Sequence, residues 1–469
     1  MPVLKNNFKG IIHFIGIGGI GMSGIAELMN SHGYLIQGSD ISKNNNIKRL
    51  EKKNIKIFYD HKKNNLKNVK VIVYSSAIKS NNPEIIEGKR ISIPLVSRAE
   101  MLAELMRSKK SIAIAGSHGK TTTTSLIGHI FEEGKKDPTI VIGGIINSFL
   151  NNNRLGKGDW MIVEADESDG SFLRLPHEIN VITNIDFEHL DYYKNIQHLI
   201  SSFKKFSTNI PFYGFSVICI NNKFTKKIVK EINTRRVITY DYKNKNADVN
   251  IIDITSTKNG SLFTIRIKEN SCHKFFGLYK FRLNLFGKHN ILNATASIIV
   301  AIINQIPIKI IKKSLKNFQG VKRRFTYLGK IKNSEIYDDY AHHPEEIKAT
   351  YEIAKIKSKK RIIVIFQPHR FSRTKELYID FLKILSKIDI LYISDIYSAG
   401  EKKIKGINSD KLVKDLKKIN KKNVFYLKKQ KQLNNILQEY YEEENLIVFM
   451  GAGSISNWAY DLIEDNVDK

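Results

Sequence analysis

Twice in the early part of the chain an apolar run of strand length breaks into a glycine-rich loop and resumes as a helical pattern: HFIGIGGIGMSGIAE at 13–27 and IAIAGSHGKTTTTSLIGHI at 112–130. A strand that turns this tightly into a helix commits the chain to βαβ units, because parallel strands need a crossover helix between them. The runs 11–17 and 69–78, with helical stretches at 21–31 and 47–53 between them, predict a first such unit closing around SRAEMLAELMRSKK, 97–110. A second series starts at SIAIAG (111–116), runs through DWMIVEADE (159–167) and INVITNID (179–186), crosses strand-rich sequence at 248–286 and ends on a helix at 290–305. A third follows FQGVKRRF (318–325) with the strands SEIYDDY, RIIVIFQ, ILYISDI and NLIVFMG.

In the first loop, Gly16-x-Gly18-x-x-Gly21 follows a strand and opens a helix, with Asp40 placed where a ribose-binding acid sits in dinucleotide folds. Glycines let the backbone approach a diphosphate at a helix N-terminus, where free N–H groups and the macrodipole attract negative charge. The pattern does not say which nucleotide binds, and a glycine turn serving only strand-to-helix packing is the plain alternative.

In the second loop, Gly116, Gly119, Lys120 and Thr121 lie between a strand and a helix, so amides can cradle phosphates, the ammonium can reach a terminal phosphate and the hydroxyl can hold Mg²⁺. The loop is shorter than GxxxxGK[ST], since Ile114 stands where the first glycine of that pattern falls. Two acidic clusters follow at strand ends: Glu164, Asp166, Glu167 and Asp169, then Asp186, Glu188, His189 and Asp191. Sites of parallel sheets form at such ends, and carboxylates suit a phosphate-bridging Mg²⁺.

Composition narrows the function. Hydrophobic residues make up 42% and charged residues 26%, as in globular chains, and no uninterrupted apolar run reaches membrane-spanning length. Gly16, Gly18, Gly19, Gly21 and Gly24 interrupt the one early segment that could pass for a signal peptide. Cys219 and Cys272 are far apart and in no metal-ligand spacing, which suits the cytosol. The formal charge of +30 is spread over the chain with Asn and Ile, as at 43–58 and 411–432. That pattern reads as A/T-rich codon bias and solvated faces, so neither nucleic acid nor membrane is expected as a partner.

Nine stretches together resemble the Mur ligase family from end to end: HFIGIGGIGMSGIAE, AGSHGKTTTT, VEADESDGSF, TNIDFEHLDYY, FGKHNILNATAS, GVKRRF, DDYAHHPEE, FQPHRFSRT and GAGSIS. The resemblance implies three α/β domains. These are an N-terminal Rossmann-like parallel sheet (1–108) for the UDP part of a sugar nucleotide, a central P-loop ATPase-type domain (109–322), and a C-terminal Rossmann-like domain (323–469) that closes on ATP and an amino acid. Two loops would thus serve two nucleotides. The implied reaction is ATP-dependent ligation of L-alanine to the muramoyl carboxylate of UDP-N-acetylmuramate through an acyl phosphate, in peptidoglycan precursor synthesis, by a cytoplasmic monomer or weak homodimer using ATP and Mg²⁺.

The resemblance also implies roles, residue by residue. Gly16, Gly18, Gly19, Gly21, Asp40 and Ser76 would bind the UDP substrate. Gly116, Ser117, His118, Gly119, Lys120, Thr121, Thr122, His289, Asn290 and Asn293 would bind ATP, with Arg324 at its phosphates and Asp339 at its ribose. Thr121 and Glu164 would hold one Mg²⁺, and His189 with Glu164 a second. Tyr340, His342, His369, Arg370 and Arg373 would handle the amino acid and the muramoyl carboxylate. Lys120, Glu164, His189, Arg370 and Arg373 would carry catalysis.

Four positions depart from the family pattern: Ser117 for Thr, Glu188 for Asp, Gly170 for Ala and Ala341 for Gly. Ala341 would be strained if its backbone needs φ > 0, and Glu188 lengthens a side chain beside an implied metal ligand; both point to reduced activity. Some relatives bridge metals with a carbamylated lysine; Lys204 and Lys205 lie in the right region, but no motif singles either out. Three alternatives remain. A nicotinamide-dependent dehydrogenase leaves the GSHGKT loop without purpose, and a nucleic-acid-stimulated ATPase lacks a recognition motif. A ligase adding a later residue or recycling tripeptide is disfavoured by DDYAHHPEE and FQPHRFSRT.

Overall fold

The computed structural model describes residues 8, 10–75, 77–142, 153–186, 192–257, 259–269, 275–419 and 423–467. Its first sheet combines β1 (Ile11–Ile15), β2 (Leu35–Ser39), β3 (Lys56–Phe58), β4 (Val69–Tyr74) and β5 (Leu95–Ser97) in the all-parallel order β3-β2-β1-β4-β5. Helices α1 (Ile20–Ser31), α2 (Asn45–Glu51), α3 (Pro83–Arg90) and α4 (Arg98–Met106) connect or follow these strands. Strand order reverses between β1 and β4, so the loop after β1 opens at the switch point where ligands of such sheets bind.

The second sheet has ten strands. Its core comprises β6 (Lys110–Ala115), followed by α5 (Lys120–Glu133), then β7 (Thr139–Val141), β8 (Asn153–Arg154), β9 (Trp160–Glu164) and β10 (Ile179–Ile182). After α6 (Ile196–Thr208) come β11 (Phe215–Cys219), α7 (Lys223–Glu231), β12 (Arg236–Tyr242), β13 (Val249–Thr257), β14 (Gly260–Ile267) and β15 (Gly277–Leu283), then α8 (Lys288–Ile303) and α9 (Ile308–Asn317). The order β15-β14-β13-β12-β11-β10-β6-β9-β7-β8 seats β6 between β10 and β9. Glu164, at the end of β9, and Asp186, just after β10, therefore come beside the loop that follows β6, which sequence spacing alone could not place.

The third sheet orders β16 (Thr326–Ile331), β17 (Ser334–Asp339), β18 (Ile362–Phe366), β19 (Ile390–Ser394), β20 (Val424–Leu427) and β21 (Leu446–Met450) as β16-β17-β21-β18-β19-β20. All pairs are parallel except β16 with β17. Strands β18, β19 and β21 are buried at every position, as both faces of a doubly covered sheet require. Helices α10 (Pro344–Lys357), α11 (Phe371–Glu376), α12 (Tyr378–Leu385), α13 (Ser409–Lys418), α14 (Leu433–Leu437) and α15 (Ile455–Val467) complete this layer.

The chain groups into two compact units rather than three separated ones. One holds the first two sheets and most of α8 and α9; the other holds the third sheet, with Ser256–Ser261 and Asn284–His289. The first two sheets share a hydrophobic cluster in which Met101, Leu102, Leu105 and Met106 of α4 join Phe172, Leu175 and Phe203. Burying α4 on both sides leaves little polar seam between those layers, so the connection near residue 108 is not a gap in packing. Among the described residues no helix is long and apolar enough to cross a membrane.

Candidate active site

Gly16 adopts φ +77° and, with Ile17, donates its N–H to the Ser39 carbonyl at 2.8 and 3.1 Å. Gly18 donates to Asp40 Oδ2 at 2.8 Å, and a Cβ on Gly18 would stand 2.9 Å from that oxygen. Asp40 Oδ1 meanwhile accepts from the amide and hydroxyl of Ser42. The buried acid thus fastens the loop to the end of β2. Ser76 lies outside the described residues.

The second loop is held as closely. Gly116 (φ +134°) and Gly119 (φ +84°) occupy backbone conformations that favour glycine, and a Cβ on either would meet Thr183 Oγ1 at 2.1 Å or Asn293 Oδ1 at 2.6 Å. Asn293 of α8 is therefore packed against the phosphate loop, while Asn290 lies in the first turn of α8. Ser117 and His118 are tied to the segment after β10. Asp186 N donates to Ser117 Oγ at 2.8 Å, His118 N donates to Asn184 Oδ1 at 2.9 Å, and His118 Nε2 faces Asp186 Oδ2 at 3.2 Å. The hydroxyl of Ser117 makes the bond, so replacing Thr there loses no hydrogen-bonding group. Thr122 is buried in α5.

Lys120 folds back over its own loop, donating to the Gly116 carbonyl (2.6 Å) and to Glu167 Oε1 (2.9 Å). Burial alone would lower its pKa, but Glu167, Asp166 and Glu164 outweigh it and hold the ammonium charged. Thr121 Oγ1 donates to Glu164 Oε2 at 3.0 Å, bringing together two oxygens that the sequence assigned to one metal. His189, assigned to a second metal, and Glu188 lie outside the described residues. Among the described residues no three His, Cys, Asp or Glu side chains converge as a metal cluster. A cavity of about 250 Å³ connects Gly21 of the first loop with Lys120, Glu164 and Asp166, walled by Ile25, Leu102 and Val141 among others.

Gly170 stands at φ +70°, a conformation that favours glycine over alanine, and Tyr192 Oη lies 2.2 Å from where a Cβ would be. Lys204 pairs with Glu231, and the structure gives no reason to single out Lys204 or Lys205 as a modified metal bridge.

In the unit that holds the third sheet, Asp339 is buried and held by three donors. Its carboxylate accepts from Phe325 N (2.6 Å), Ala341 N (2.7 Å) and Thr350 Oγ1 (3.1 Å). Burial pushes it up to about 6, against the pull of Arg324 and those N–H groups. It therefore braces the KRRF and DDYAHH segments against each other. Tyr340 is flanked by Arg323 at 4.7 Å and Arg324 at 5.3 Å from its ring centre. Ala341 stays outside the left-handed region, so the strain anticipated there does not arise.

Rings continue from Tyr340 to His342 (5.2 Å), His369 (5.5 Å) and Tyr397, which stacks on His369 at 5.5 Å. Burial holds His342 at about 3. Burial, with Arg373 and Arg370, holds His369 at about 4, so both imidazoles are neutral at pH 7. Arg373 Nη1 meets His369 Nδ1 at 3.2 Å. Arg370 has φ +69° and ψ 137°, a strained conformation held by its N–H on the Tyr397 carbonyl, and its Nε is buried without a partner among the described residues. His289 sits beside Gly287 in this same unit. Sequence reading missed Arg323, which sits in the GVKRRF stretch beside Arg324 but was given no role, and Tyr397, which no motif marks. It also missed Glu346, whose carboxylate accepts from His342 N; the H-P-E-E capping pattern signals it.

A phosphate loop whose threonine faces a glutamate, opening into a cavity that begins at another nucleotide-type loop, is the equipment of an enzyme that joins two substrates with a nucleoside triphosphate. The chain belongs to the Mur ligase family. The descriptions "Mur ligase family, catalytic domain", "Mur ligase middle domain" and "Mur ligase, glutamate ligase domain" match residues 11–110, 114–301 and 323–453 in turn. Among similar proteins, the UDP-N-acetylmuramate–L-alanine ligase of Rickettsia typhi is 47% identical over 97% of this chain and 93% of its own length. That of Allorhizobium ampelinum is 45% identical over 96% and 95%. The solved UDP-N-acetylmuramate-alanine ligase MurC of Thermotoga maritima superposes with a TM-score of 0.82 at 27% identity, covering 98% of this chain and all of that one. A murein peptide ligase of Psychrobacter arcticus shares the fold, with a TM-score of 0.70 at 20% identity, over 97% and 98%.

Proposed function

We propose that this chain ligates L-alanine to the muramoyl carboxylate of UDP-N-acetylmuramate with ATP, giving UDP-N-acetylmuramoyl-L-alanine, ADP and phosphate. The observation that carries this reading is near end-to-end identity of 45% and 47% with two relatives that bear that ligase's name. The division of labour expected at 1–108, 109–322 and 323–469 is retained, supported by three family descriptions that break near the same points. The enzyme works in the cytoplasm on small molecules, as a monomer or weak homodimer.

The substrate carboxylate attacks the γ-phosphorus, the bond to the β-phosphate oxygen breaks, and an acyl phosphate and ADP result. The amine of alanine then attacks the acyl carbon, phosphate leaves, and the nitrogen loses a proton. Gly116, Ser117 and His118 shape the loop, the amides of Gly119–Thr122 at the N-terminus of α5 cradle the triphosphate, and Lys120 turns from the Gly116 carbonyl and Glu167 to the transferring phosphoryl group. Thr121 and Glu164 are hard oxygen donors held close together, which fits Mg²⁺, and the ion when bound would neutralise phosphate charge. His189 is retained as a proposed partner of Glu164. His289, Asn290 and Asn293 contact the adenine nucleotide, and Arg324 its phosphates. Asp339 takes the ribose through its remaining lone pairs while bracing the KRRF segment. Arg370 and Arg373 present forks to carboxylates, and Tyr340, His342 and His369 line the amino acid. Gly16, Gly18, Gly19, Gly21, Asp40 and Ser76 serve the UDP moiety.

Phosphate release with ATP and Mg²⁺ tests this reading. It should require UDP-N-acetylmuramate and L-alanine together and yield the matching mass gain on the nucleotide sugar. Release only with UDP-N-acetylmuramoyl-L-alanine and D-glutamate would refute it.

A further inference from the structure

Between the two loops stands a cation that no motif marks. Arg98 is the first residue of α4, set there by the capping box of Ser97 and Glu100. Its Nη1 lies 2.7 Å from where a Cβ on Gly21 would be, so the guanidinium rests against the first turn of α1 in the space that glycine leaves. Its Nη2 is 3.8 Å from Asp166 Oδ2, beyond hydrogen-bond reach, and both side chains are partly exposed, at 32% and 46%. Such a pair holds weakly and exchanges readily. Arg98 lines the same cavity as Lys120 and Glu164, together with the apolar side chains of Ile25, Leu102 and Val141.

We propose that Arg98 binds the carboxylate of the nucleotide sugar, exchanging Asp166 for it, and so delivers the reacting arm toward Lys120. This rests on the functional reading above. The muramoyl arm is an ether-linked propanoate, a methyl-bearing carboxylate, and the cavity offers apolar walls for the methyl and a planar fork for the carboxylate. The amides of Gly16 to Gly19 are already donated within the loop and to Ser39 and Asp40, so the diphosphate would take the first-turn amides of α1, and the partner Arg98 holds in this structure is itself a carboxylate on the Lys120 side.

The test compares two nucleotide sugars on the full chain by calorimetry: UDP-N-acetylmuramate, and UDP-N-acetylglucosamine, which has the same diphosphate but no lactyl carboxylate. Arg98→Ala should weaken the first about 10- to 100-fold, as loss of a charge-assisted contact does, and leave the second within about twofold. Arg98→Lys should fall between wild type and Arg98→Ala on the first sugar, and it keeps the test valid if the alanine variant misfolds. ATP affinity should be unchanged throughout. Equal weakening of both sugars would move Arg98 to the diphosphate and overturn the assignment, as would no change in either. Failure of the wild-type chain to bind either sugar would instead overturn the functional reading, and this assignment with it.

Discussion

Glu84, in the first turn of α3, is fully buried behind the first glycine loop and accepts from Ser39 Oγ (2.6 Å) and Asn65 Nδ2 (2.7 Å). It also faces His61 Nδ1 at 3.0 Å and His13 Nε2 at 3.2 Å. Ser39 is the residue whose carbonyl holds Gly16 and Ile17, so the network supports the loop from below. Glu84→Leu strands the Asn65 amide hydrogen and His13 Nε2 in the buried interior, while Ser39 Oγ and His61 Nδ1 fall back on their own contact at 3.0 Å. At about 1–3 kcal/mol for each stranded donor, combined less than additively, the loss should be about 3–5 kcal/mol, the range for breaking a buried pair. Glu84→Gln keeps the shape and part of the bonding and should lose about 1–2 kcal/mol.

The assay is hydrogen exchange of peptides covering β1 and β2, with peptides of the third sheet as internal reference. Burial alone would raise the Glu84 carboxyl, but bonds from His13, Ser39 and Asn65 outweigh it and hold the group below the usual carboxylate range. A depressed carboxyl stabilises the fold fully above its unfolded value and loses that contribution as pH falls through the folded one. Wild-type β1 protection should therefore weaken below about pH 4, and the Gln variant should lack that component of the slope. A change under about 1 kcal/mol in Glu84→Leu at pH 7 would refute the reasoning.

Thr121→Val keeps the packing of α5 but removes the hydroxyl facing Glu164, and should raise the Mg²⁺ needed for half-maximal phosphate release about 10- to 100-fold, read by metal titration. Gly170→Ala should cost about 1 kcal/mol in urea unfolding, the penalty of φ +70° for a side chain, because the half-exposed Tyr192 ring can swing aside. His342 and His369, held at about 3 and about 4, bind fewer protons folded than unfolded, so their stabilisation is complete above about pH 6.5 and falls as pH drops toward those values. Calorimetry of His369→Gln at pH 5 and 7 should show a shallower pH slope than wild type.

Much of the fold was legible because buried parallel strands write themselves as uninterrupted apolar runs. IIVIF, ILYIS and LIVFM needed no tertiary information, and neither did IIHFI after its glycine loop was seen. The strand Thr326–Ile331 was missed because it is an edge paired antiparallel and half exposed, so its pattern is diluted by polar residues. Glycines announced the loops, since φ values of +77°, +134° and +84° demand them. Nothing announced Arg98 or Tyr397, whose partners lie on distant segments.

What the sequence by itself determined is local: where strands give way to helices, where backbone must bend through positive φ, and which oxygens and cations are available near each bend. Tertiary structure alone decided what those groups face. Strand order put β9 and β10 on either side of β6 and so brought Glu164 to Thr121 and Asp186 to His118. It turned Asp40 inward onto Gly18, bound Asp339 into a brace, and set Arg98 at the mouth between two nucleotide loops. The physical reason is that a side chain's chemistry is set by its neighbours' distance and by the water they exclude, and in a parallel sheet those neighbours come from crossovers dozens of residues away.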